Sequence, residues 1–195
     1  MEIILATNNK GKVREMKEIM EGTGIEVFSL KDKNIEIEVE EDGTTFEENA
    51  LKKAKEVCEA TGMIAVSDDS GLEVYALDMR PGIYSARYAG ENATSQERNM
   101  KLLDEMKDVP EGERGARFVS AVAIVFPDGK SEIFRGEVEG EILREEKGEG
   151  GFGYDPLFFY KPFNKTLAEV PLEEKDKVSH RGVAFKKLKE YLLGL

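Results

Sequence analysis

The N-terminal part of the chain alternates between apolar runs and an amphipathic stretch, and this order restricts the fold more than any other feature. Residues 2–6 form a short apolar run that predicts a strand, and residues 13–20 carry apolar side chains at helical spacing. Gly22 and Gly24 mark the end of that helix, and residues 25–28 predict a second strand. A strand–helix–strand unit of this kind predicts an α/β fold.

The rest of the chain continues the alternation of strands and helices. The predicted elements are a strand or extended segment at 35–42, a helix capped by Thr44 or Thr45 that continues to Ala60, a strand at 63–66 with the sheet continuing at 72–75, a helix capped by Thr94 or Ser95 that continues to Met106, hairpin strands at 117–126 and 131–139, a strand at 157–160 and a helix at 181–193. A long hairpin beside a strand–helix–strand unit predicts an elongated mixed central sheet with flanking helices. We expect this α/β sheet to form two lobes around an active-site cleft.

The composition is that of an ordinary globular protein, and it limits the partners of the chain. With 195 residues, 40% of them hydrophobic, and with no repeats or linkers, the chain predicts a single domain over 1–195. A formal net charge of −12 argues against a duplex-binding surface, which needs clustered Lys and Arg. We therefore expect no stable nucleic-acid complex. A nucleotide stays compatible with this charge, because a small basic pocket can lie on an acidic protein.

Cysteine content and hydropathy indicate the environment of the protein. Cys58 is the single cysteine, which excludes an intrachain disulfide, and we interpret it as a small buried hydrophobic residue. No apolar run approaches the roughly 20 residues that a membrane helix needs. Met1 leads into a strand rather than into a signal peptide. We expect no membrane contact and a cytoplasmic location.

Two adjacent carboxylates follow the predicted strand at 63–66, in the motif Ser67-Asp68-Asp69-Ser70-Gly71. Ligands of open α/β sheets bind at the carboxyl ends of strands, which is where this motif is expected. Neighbouring carboxylates repel each other unless a cation lies near them, and hard oxygen ligands suit Mg²⁺. The motif therefore favours metal-assisted chemistry on an anionic substrate. The alternative is an Asp-Asp-Ser-Gly turn between two strands.

The loop between the first strand and the first helix has the composition of a phosphate site. It reads Thr7-Asn8-Asn9-Lys10-Gly11-Lys12. Its backbone amides, the helix dipole and two lysines together favour phosphate binding. The P-loop pattern of kinases and GTPases is absent, which argues against those classes. The alternative is a polar connection with no ligand.

Gly148 to Gly153 match the G-x-G-x-x-G pattern of dinucleotide-binding proteins, but the context is wrong. That motif opens a helix, whereas Tyr154-Asp155-Pro156 leads here into a predicted strand. We interpret the segment as a loop that presents Phe152, Tyr154 and Asp155 to a ligand, with aromatic stacking on a base. The alternative is that the two aromatic rings pack in the core.

The single histidine, His180, lies between Ser179 and Arg181 at the start of the last predicted helix. With Lys175 and Lys177 just upstream, it could contact a purine edge or a phosphate. The alternative is a partly exposed residue at a helix start. One histidine and one cysteine make a zinc site improbable.

Taken together, six motifs in this order resemble the family of inosine/xanthosine triphosphate pyrophosphatases through nearly the whole chain. The motifs are the 7–12 loop, Glu40-Glu41-Asp42-Gly43-Thr44-Thr45-Phe46-Glu47-Glu48-Asn49-Ala50, Ser67 to Leu72, Pro81-Gly82-Ile83-Tyr84-Ser85-Ala86-Arg87-Tyr88, Gly151 to Pro156, and Glu174-Lys175 with Ser179-His180-Arg181.

The resemblance implies an enzyme that hydrolyses non-standard purine nucleoside triphosphates (ITP, dITP, XTP) to the monophosphate and pyrophosphate. It implies Mg²⁺ as cofactor, a homodimer, Asp69 as general base and metal ligand, and Glu40 as a second ligand. The implied substrate-binding residues are Thr7, Asn8, Asn9, Lys10, Gly11, Lys12, Lys53, Ser70, Phe152, Gly153, Tyr154, Asp155, Lys175, His180 and Arg181.

Two other functions stay open from the sequence. One is a Maf-like pyrophosphatase that acts on modified pyrimidine nucleotides through a related sheet and similar carboxylates. The other is a non-catalytic nucleotide sensor that uses the same pocket. Turnover of purine and pyrimidine triphosphates separates these three functions.

Overall fold

A computed structural model describes residues 1–195 and contains a seven-stranded sheet with α-helices packed beside it. The strands are β1 (Glu2–Leu5), β2 (Glu26–Ser29), β3 (Ile64–Val74), β4 (Gly115–Val125), β5 (Ser131–Ile142), β6 (Phe158–Tyr160) and β7 (Lys165–Thr166). The helices are α1 (Lys10–Met20), α2 (Phe46–Thr61), α3 (Ser95–Glu105), α4 (Leu172–Val178) and α5 (His180–Leu193).

The strand order is β2-β1-β3-β4-β5-β6-β7, and the sheet is mixed. β1 pairs in parallel with both β2 and β3, as a strand–helix–strand unit requires. β6 pairs antiparallel with β5 and with β7. The predicted mixed α/β sheet with flanking helices is confirmed.

The chain divides into two compact units, each with its own core. Unit 1 comprises 1–69, 120–136 and 181–195, and unit 2 comprises 70–119 and 137–180. The core of unit 1 includes Ile3, Leu5, Met16, Val66, Ile124, Phe185 and Leu188. The core of unit 2 includes Leu72, Leu102, Phe118, Val138, Leu157 and Phe158. The predicted single domain over 1–195 and the predicted cleft between two lobes stay predictions.

Local capping signals position the helices as the sequence predicts. The hydroxyl of Thr45 accepts the backbone N–H of Glu48 at 3.1 Å and caps α2, which ends at Gly62 with φ +66°. Thr94 and Glu97 form a reciprocal capping box at the start of α3. Of the two candidates at each start, Thr45 and Thr94 are the caps.

The two aspartates lie within a strand and not after one, which differs from the sequence prediction. β3 is a single strand of 11 residues, so the strand does not end at Val66 and no turn follows it. Its partner β1 does end there, because Leu5 is paired with Val66. Asp68 and Asp69 therefore extend beyond the carboxyl end of the neighbouring strand, which is the expected edge of the sheet for a ligand.

Three segments differ from the sequence prediction in lesser ways. Residues 35–42 form neither a strand nor a helix, although their exposure alternates between half-buried and exposed as the sequence pattern does. α4 and β7 have no counterpart in the sequence prediction, because seven mostly charged residues and a two-residue strand are too short for a periodic signal. No helix of the protein is both long enough and apolar enough to cross a bilayer.

Candidate active site

The alternation of side chains in β3 separates the environments of its two aspartates. Successive residues of a strand point to opposite faces of the sheet. Asp68 contacts Lys12 of α1 and Arg181 of α5, whereas Asp69 interacts with Asn49 and Lys53 of α2. The two carboxylates therefore have different nearest partners, although the charge of Lys53 acts on both of them.

Asp68 is surrounded by three cations from three segments of the chain. Its Oδ1 lies 2.9 Å from Lys12 Nζ, and its Oδ2 lies 3.2 Å from Arg181 Nε. Its backbone carbonyl accepts a hydrogen bond of 2.9 Å from Lys53 Nζ. We call these four residues the Asp68 cluster.

The charge balance of the Asp68 cluster keeps its carboxylate ionised. Burial opposes ionisation of Asp68, but Lys12, Arg181 and Lys53 outweigh this effect and hold its pKa well below the usual range. Burial also lowers the pKa of Lys12, with Arg181 and Lys53 acting in the same direction and Asp68 against it. Asp68 is thus the group that favours the charged form of Lys12.

Glu15 adds a second buried carboxylate beside Arg181. Its Oε2 lies 3.5 Å from Arg181 Nη1, and both side chains are almost fully buried. Asp68 is predicted from the sequence only as part of the adjacent-carboxylate motif, and Glu15 is not predicted as a site residue. A signal for Glu15 was available, because it follows Lys12 by three residues and therefore lies on the same face of α1.

Asp69 is a buried carboxylate with too little positive charge around it. Burial raises its pKa to about 6, with Glu41 and Asp68 adding to the shift and Lys53 and a hydrogen bond from Asn49 opposing it. Its side chain is 8% exposed. A carboxyl group with this pKa is suited to accept a proton near neutral pH.

Of the acidic run at 40–42, Glu41 is the residue that the structure brings to the cluster. Its Oε1 lies 2.6 Å from Lys53 Nζ, and its charge raises the pKa of Asp69. Glu40 is exposed. The pKa of Lys52 is raised mainly by its hydrogen bond to Asp42, and the charge of Glu40 acts in the same direction. Glu40 as a metal ligand stays a prediction.

The donor set near Asp69 fits a magnesium ion that is bound together with a phosphorylated substrate. No group of three or more His, Cys, Asp or Glu side chains is arranged to hold a metal ion. Mg²⁺ typically takes one or two carboxylates and completes its shell with waters and substrate phosphates. Burial is the main cause of the raised pKa of Asp69, the charges of Glu41 and Asp68 add to it, and a nearby divalent cation would favour the ionised carboxylate.

The 7–12 loop uses some of its own donors in this structure. Asn9 caps α1, and its Oδ1 accepts the N–H groups of Gly11 at 2.9 Å and Lys12 at 3.2 Å. The hydroxyl of Thr7 accepts the N–H of Asn9 at 3.1 Å. Asn9 therefore already occupies two of the amides that a phosphate would use, and the exposed Lys10 is the other cation of the loop.

In unit 2, a buried ion pair fixes the loop at 151–155. Asp155 Oδ2 lies 2.5 Å from Lys175 Nζ, and both side chains are buried. The same oxygen accepts the N–H of Phe152 at 3.0 Å. The ammonium of Lys175 lies 4.3 Å from the ring centroid of Phe152, which is 60% exposed. A side chain at Gly151 would clash with the carboxylate of Asp155.

The other aromatic residue of this loop is part of the core. Tyr154 is buried, and its hydroxyl donates to the carbonyl of Ser85 at 2.6 Å. The carbonyl of Gly153 accepts a hydrogen bond of 3.1 Å from Nδ2 of the buried Asn99 in α3. Tyr154 thus anchors the loop, and the exposed ring of Phe152 is the one available for stacking.

Two further predicted substrate-binding residues, His180 and Ser70, lie in α5 and β3. His180 is buried as the first residue of α5, and its ring stacks on Phe118 at 5.0 Å between centroids. It is therefore not the partly exposed residue that the sequence allows as an alternative. Ser70 follows Asp69 in β3 and is half-buried. Substrate contacts of His180 and Ser70 stay predictions.

The family of the chain follows from its similarity to known proteins. The chain matches the Ham1 family over residues 3–191. It belongs to the Ham1 family. The relatives of this Ham1 family member include proteins named dITP/XTP pyrophosphatase from Geobacter sulfurreducens, 53% identical over 97% of this chain and 96% of the relative, and from Bacillus subtilis, 48% identical over 98% and 96%.

Solved structures of Ham1 proteins have the same fold. The Ham1 protein of Staphylococcus aureus is 41% identical, with a TM-score of 0.92 over 100% of this chain and 99% of its own. The HAM1 protein of Coxiella burnetii is 38% identical, with a TM-score of 0.94 over 100% of both chains. The family resemblance of the six sequence motifs is thereby confirmed, whereas the roles of single residues stay predictions.

Proposed function

We propose that this Ham1 family protein hydrolyses non-standard purine nucleoside triphosphates, namely ITP, dITP and XTP, to the monophosphate and pyrophosphate. This reaction removes such nucleotides from the nucleotide pool. The observation that carries the proposal is the Asp68 cluster beside Asp69, in a chain whose relatives are named dITP/XTP pyrophosphatase. Cations that are partly shielded from water suit a polyphosphate, and a buried carboxylate beside them suits orientation and deprotonation of a water.

In this proposal, Lys12, Lys53 and Arg181 bind the phosphate oxygens and Asp69 acts on the attacking water. When bound, Mg²⁺ would neutralise negative charge on the substrate phosphates and so favour attack at phosphorus. Asp69 and Glu40 are the proposed ligands. Asp69 orients the water and accepts its proton while the water oxygen attacks the α-phosphorus. The bond from that phosphorus to the bridging oxygen breaks, and pyrophosphate leaves with the electron pair.

The groups of unit 2 are proposed to recognise the base. The exposed ring of Phe152 offers a stacking surface, and the neighbouring ammonium of Lys175 offers a donor for O6 of hypoxanthine or xanthine. A donor that faces the amino group of adenine would lose its partner, at a cost of about 1–3 kcal/mol. His180 is a further proposed contact with the base.

Finer elements belong to the same proposal. We take Mg²⁺ as the divalent cation, a homodimer as the working form and the cytoplasm as the location, since nucleotide pools are there. Light scattering of the purified protein measures the assembly. A monomer at micromolar concentration would remove the homodimer from the proposal and leave the reaction unaffected.

The experiment that tests the reaction is pyrophosphate release from a panel of triphosphates. We expect ITP, dITP and XTP to be hydrolysed much faster than ATP, GTP, dTTP and modified UTP, with activity lost in EDTA and restored by Mg²⁺. Faster turnover of the pyrimidines would contradict the proposal in favour of a Maf-like activity. Saturable binding of ITP with no pyrophosphate release would contradict it in favour of a sensor.

A further inference from the structure

Asp68 has a position that the proposed reaction does not yet use. Three cations contact this one residue, two through its carboxylate and one through its backbone carbonyl. They come from α1, α2 and the start of α5, segments that are distant in sequence.

The negative charge of Asp68 counteracts the repulsion among three like charges in a nearly buried site. The cations of Lys12, Lys53 and Arg181 repel one another, and this repulsion is weakly screened where water is scarce. Without a fixed counter-charge, the ammonium of Lys12 would move away toward solvent or lose its proton. Either change removes a cation from the place where a polyphosphate is expected.

We propose that Asp68 is a positioning residue, which holds Lys12, Lys53 and Arg181 in the arrangement that binds the polyphosphate before substrate arrives. This inference rests on the proposed function and deepens it. Asp68 touches neither the reacting water nor the phosphates, and it acts through the three cations. Preorganised charges bind and stabilise without a cost of rearrangement at the moment of binding.

The alternative role of Asp68, a mere counter-charge, makes the opposite prediction for anion binding. Removing a negative charge from the cluster makes it more positive, and a more positive site binds polyphosphate more tightly. Loss of positioning weakens binding instead. The sign of the change therefore separates the two roles.

The experiment compares the full-length protein with Asp68→Asn and Asp68→Glu. Binding of inorganic tripolyphosphate is measured by calorimetry in EDTA, so the readout depends on neither Mg²⁺ nor turnover. We expect both variants to bind tripolyphosphate about tenfold or more weakly, since a charge-assisted contact is lost or displaced. Their KM values for ITP and ATP rise by similar factors, because both substrates carry the same phosphates.

The matched control is Glu15→Gln, which removes the other carboxylate that contacts Arg181 and leaves Lys12 with its partner. We expect its tripolyphosphate affinity to stay within about twofold of the wild-type value. A double-mutant cycle adds a second readout. Asp68→Asn in a Lys12→Met background should weaken binding much less than it does alone, because contacts that share a partner are not additive.

Three outcomes overturn the inference. Folded Asp68→Asn that binds tripolyphosphate as tightly as the wild type, or more tightly, identifies a mere counter-charge. If Asp68→Asn does not fold, Asp68→Glu decides, because it keeps the charge and moves it, and unchanged binding would exclude positioning. A wild-type protein that does not bind tripolyphosphate overturns the inference as well. Binding without hydrolysis of any triphosphate would overturn the proposed function alone.

Discussion

The Asp68 cluster in unit 1 and the 151–155 loop in unit 2 consist of different kinds of side chains and are proposed to bind different parts of the substrate. The cluster consists of buried charges that fix one another, and its cations can serve the phosphates that all nucleoside triphosphates share. The loop has one buried ion pair, Asp155–Lys175, and leaves the ring of Phe152 largely exposed. From this difference we expect discrimination between bases to depend on residues of unit 2 and the rate of hydrolysis to depend on residues of unit 1.

The largest effect is expected when Asp69 loses its charge. In Asp69→Asn the kcat for ITP should fall by about 10³-fold or more, because a general base alone contributes roughly 10²–10⁴-fold and the substitution also alters the proposed metal site. The residual rates with ITP and ATP should fall by similar factors. Steady-state pyrophosphate release measures both.

The control for this variant is Asp78→Asn, the same chemical change at an exposed position of unit 2. Its backbone has φ +53°, a conformation that Asn also adopts readily. Its kcat should equal that of the wild type. An Asp69→Asn enzyme with more than a tenth of the wild-type kcat would remove Asp69 from the catalytic step.

A second prediction concerns the stability of the metal-free protein. Burial raises the pKa of Asp69 to about 6, above its unfolded value, so the folded state binds this proton more tightly. The stability that this group contributes is full below about pH 4 and is lost as the pH rises to about 6. Asp69→Asn should therefore be more stable than the wild type at about pH 7.5, by about 2–3 kcal/mol, and equal to it near pH 4.

Urea unfolding in EDTA at the two pH values measures this difference. A stability gain that is equal at both values would mean that Asp69 ionises with an ordinary pKa in the folded protein. Asp78→Asn again serves as control and should show no pH-dependent gain.

Lys175→Met tests whether unit 2 recognises the base. We expect the ratio of kcat/KM for ITP to that for ATP to fall by about tenfold, because a lost donor to O6 costs about 1–3 kcal/mol. The substitution also leaves Asp155 buried without its ammonium partner, which destabilises the fold. That loss is common to both substrates and cancels in the ratio.

Lys177→Met, at an exposed position two residues further along α4, is the matched control and should leave the ratio unchanged. If Lys175→Met lowers turnover of ITP and ATP equally, Lys175 serves the phosphates or the folding of unit 2. The proposed division between the two regions would then be wrong at this residue.

The smallest effect is expected for Phe152→Leu. The ring is mostly exposed, so the melting temperature should not change, while loss of stacking should raise the KM for ITP about fivefold, corresponding to about 1 kcal/mol. Tripolyphosphate affinity should equal the wild-type value, because that ligand has no base. Weaker tripolyphosphate binding would show that Phe152 also supports the polyphosphate site.

The sequence predicts those parts of the fold whose signals are local. The caps Thr45 and Thr94 bond to amides three residues away, and the strand–helix–strand unit follows from periodicity over short windows. The continuity of β3 was not predictable in this way. Ser67 to Gly71 are turn-forming residues, and contacts with distant segments keep them in a strand.

Prediction of the candidate site from the sequence has the same limit, since only its local features are evident. The Asp68–Asp69 pair was evident from the sequence, but the partition of its partners was not, because Arg181 reaches Asp68 from 113 residues away. Asn49 was also missed as a neighbour of Asp69, although it lies in one of the family motifs. An amide in the first turn of a helix usually serves local capping, so nothing in its position indicated a contact with β3.

The unbroken course of β3 limits how this region of the chain can change. Deletion of one residue ahead of Asp68 would shift the strand by one position and exchange the surroundings of the two carboxylates. Asp69 would then meet Lys12 and Arg181, and Asp68 would meet α2. Insertions and deletions are therefore tolerable in the loops of this protein but not between Ile64 and Asp69, even where every side chain type is retained.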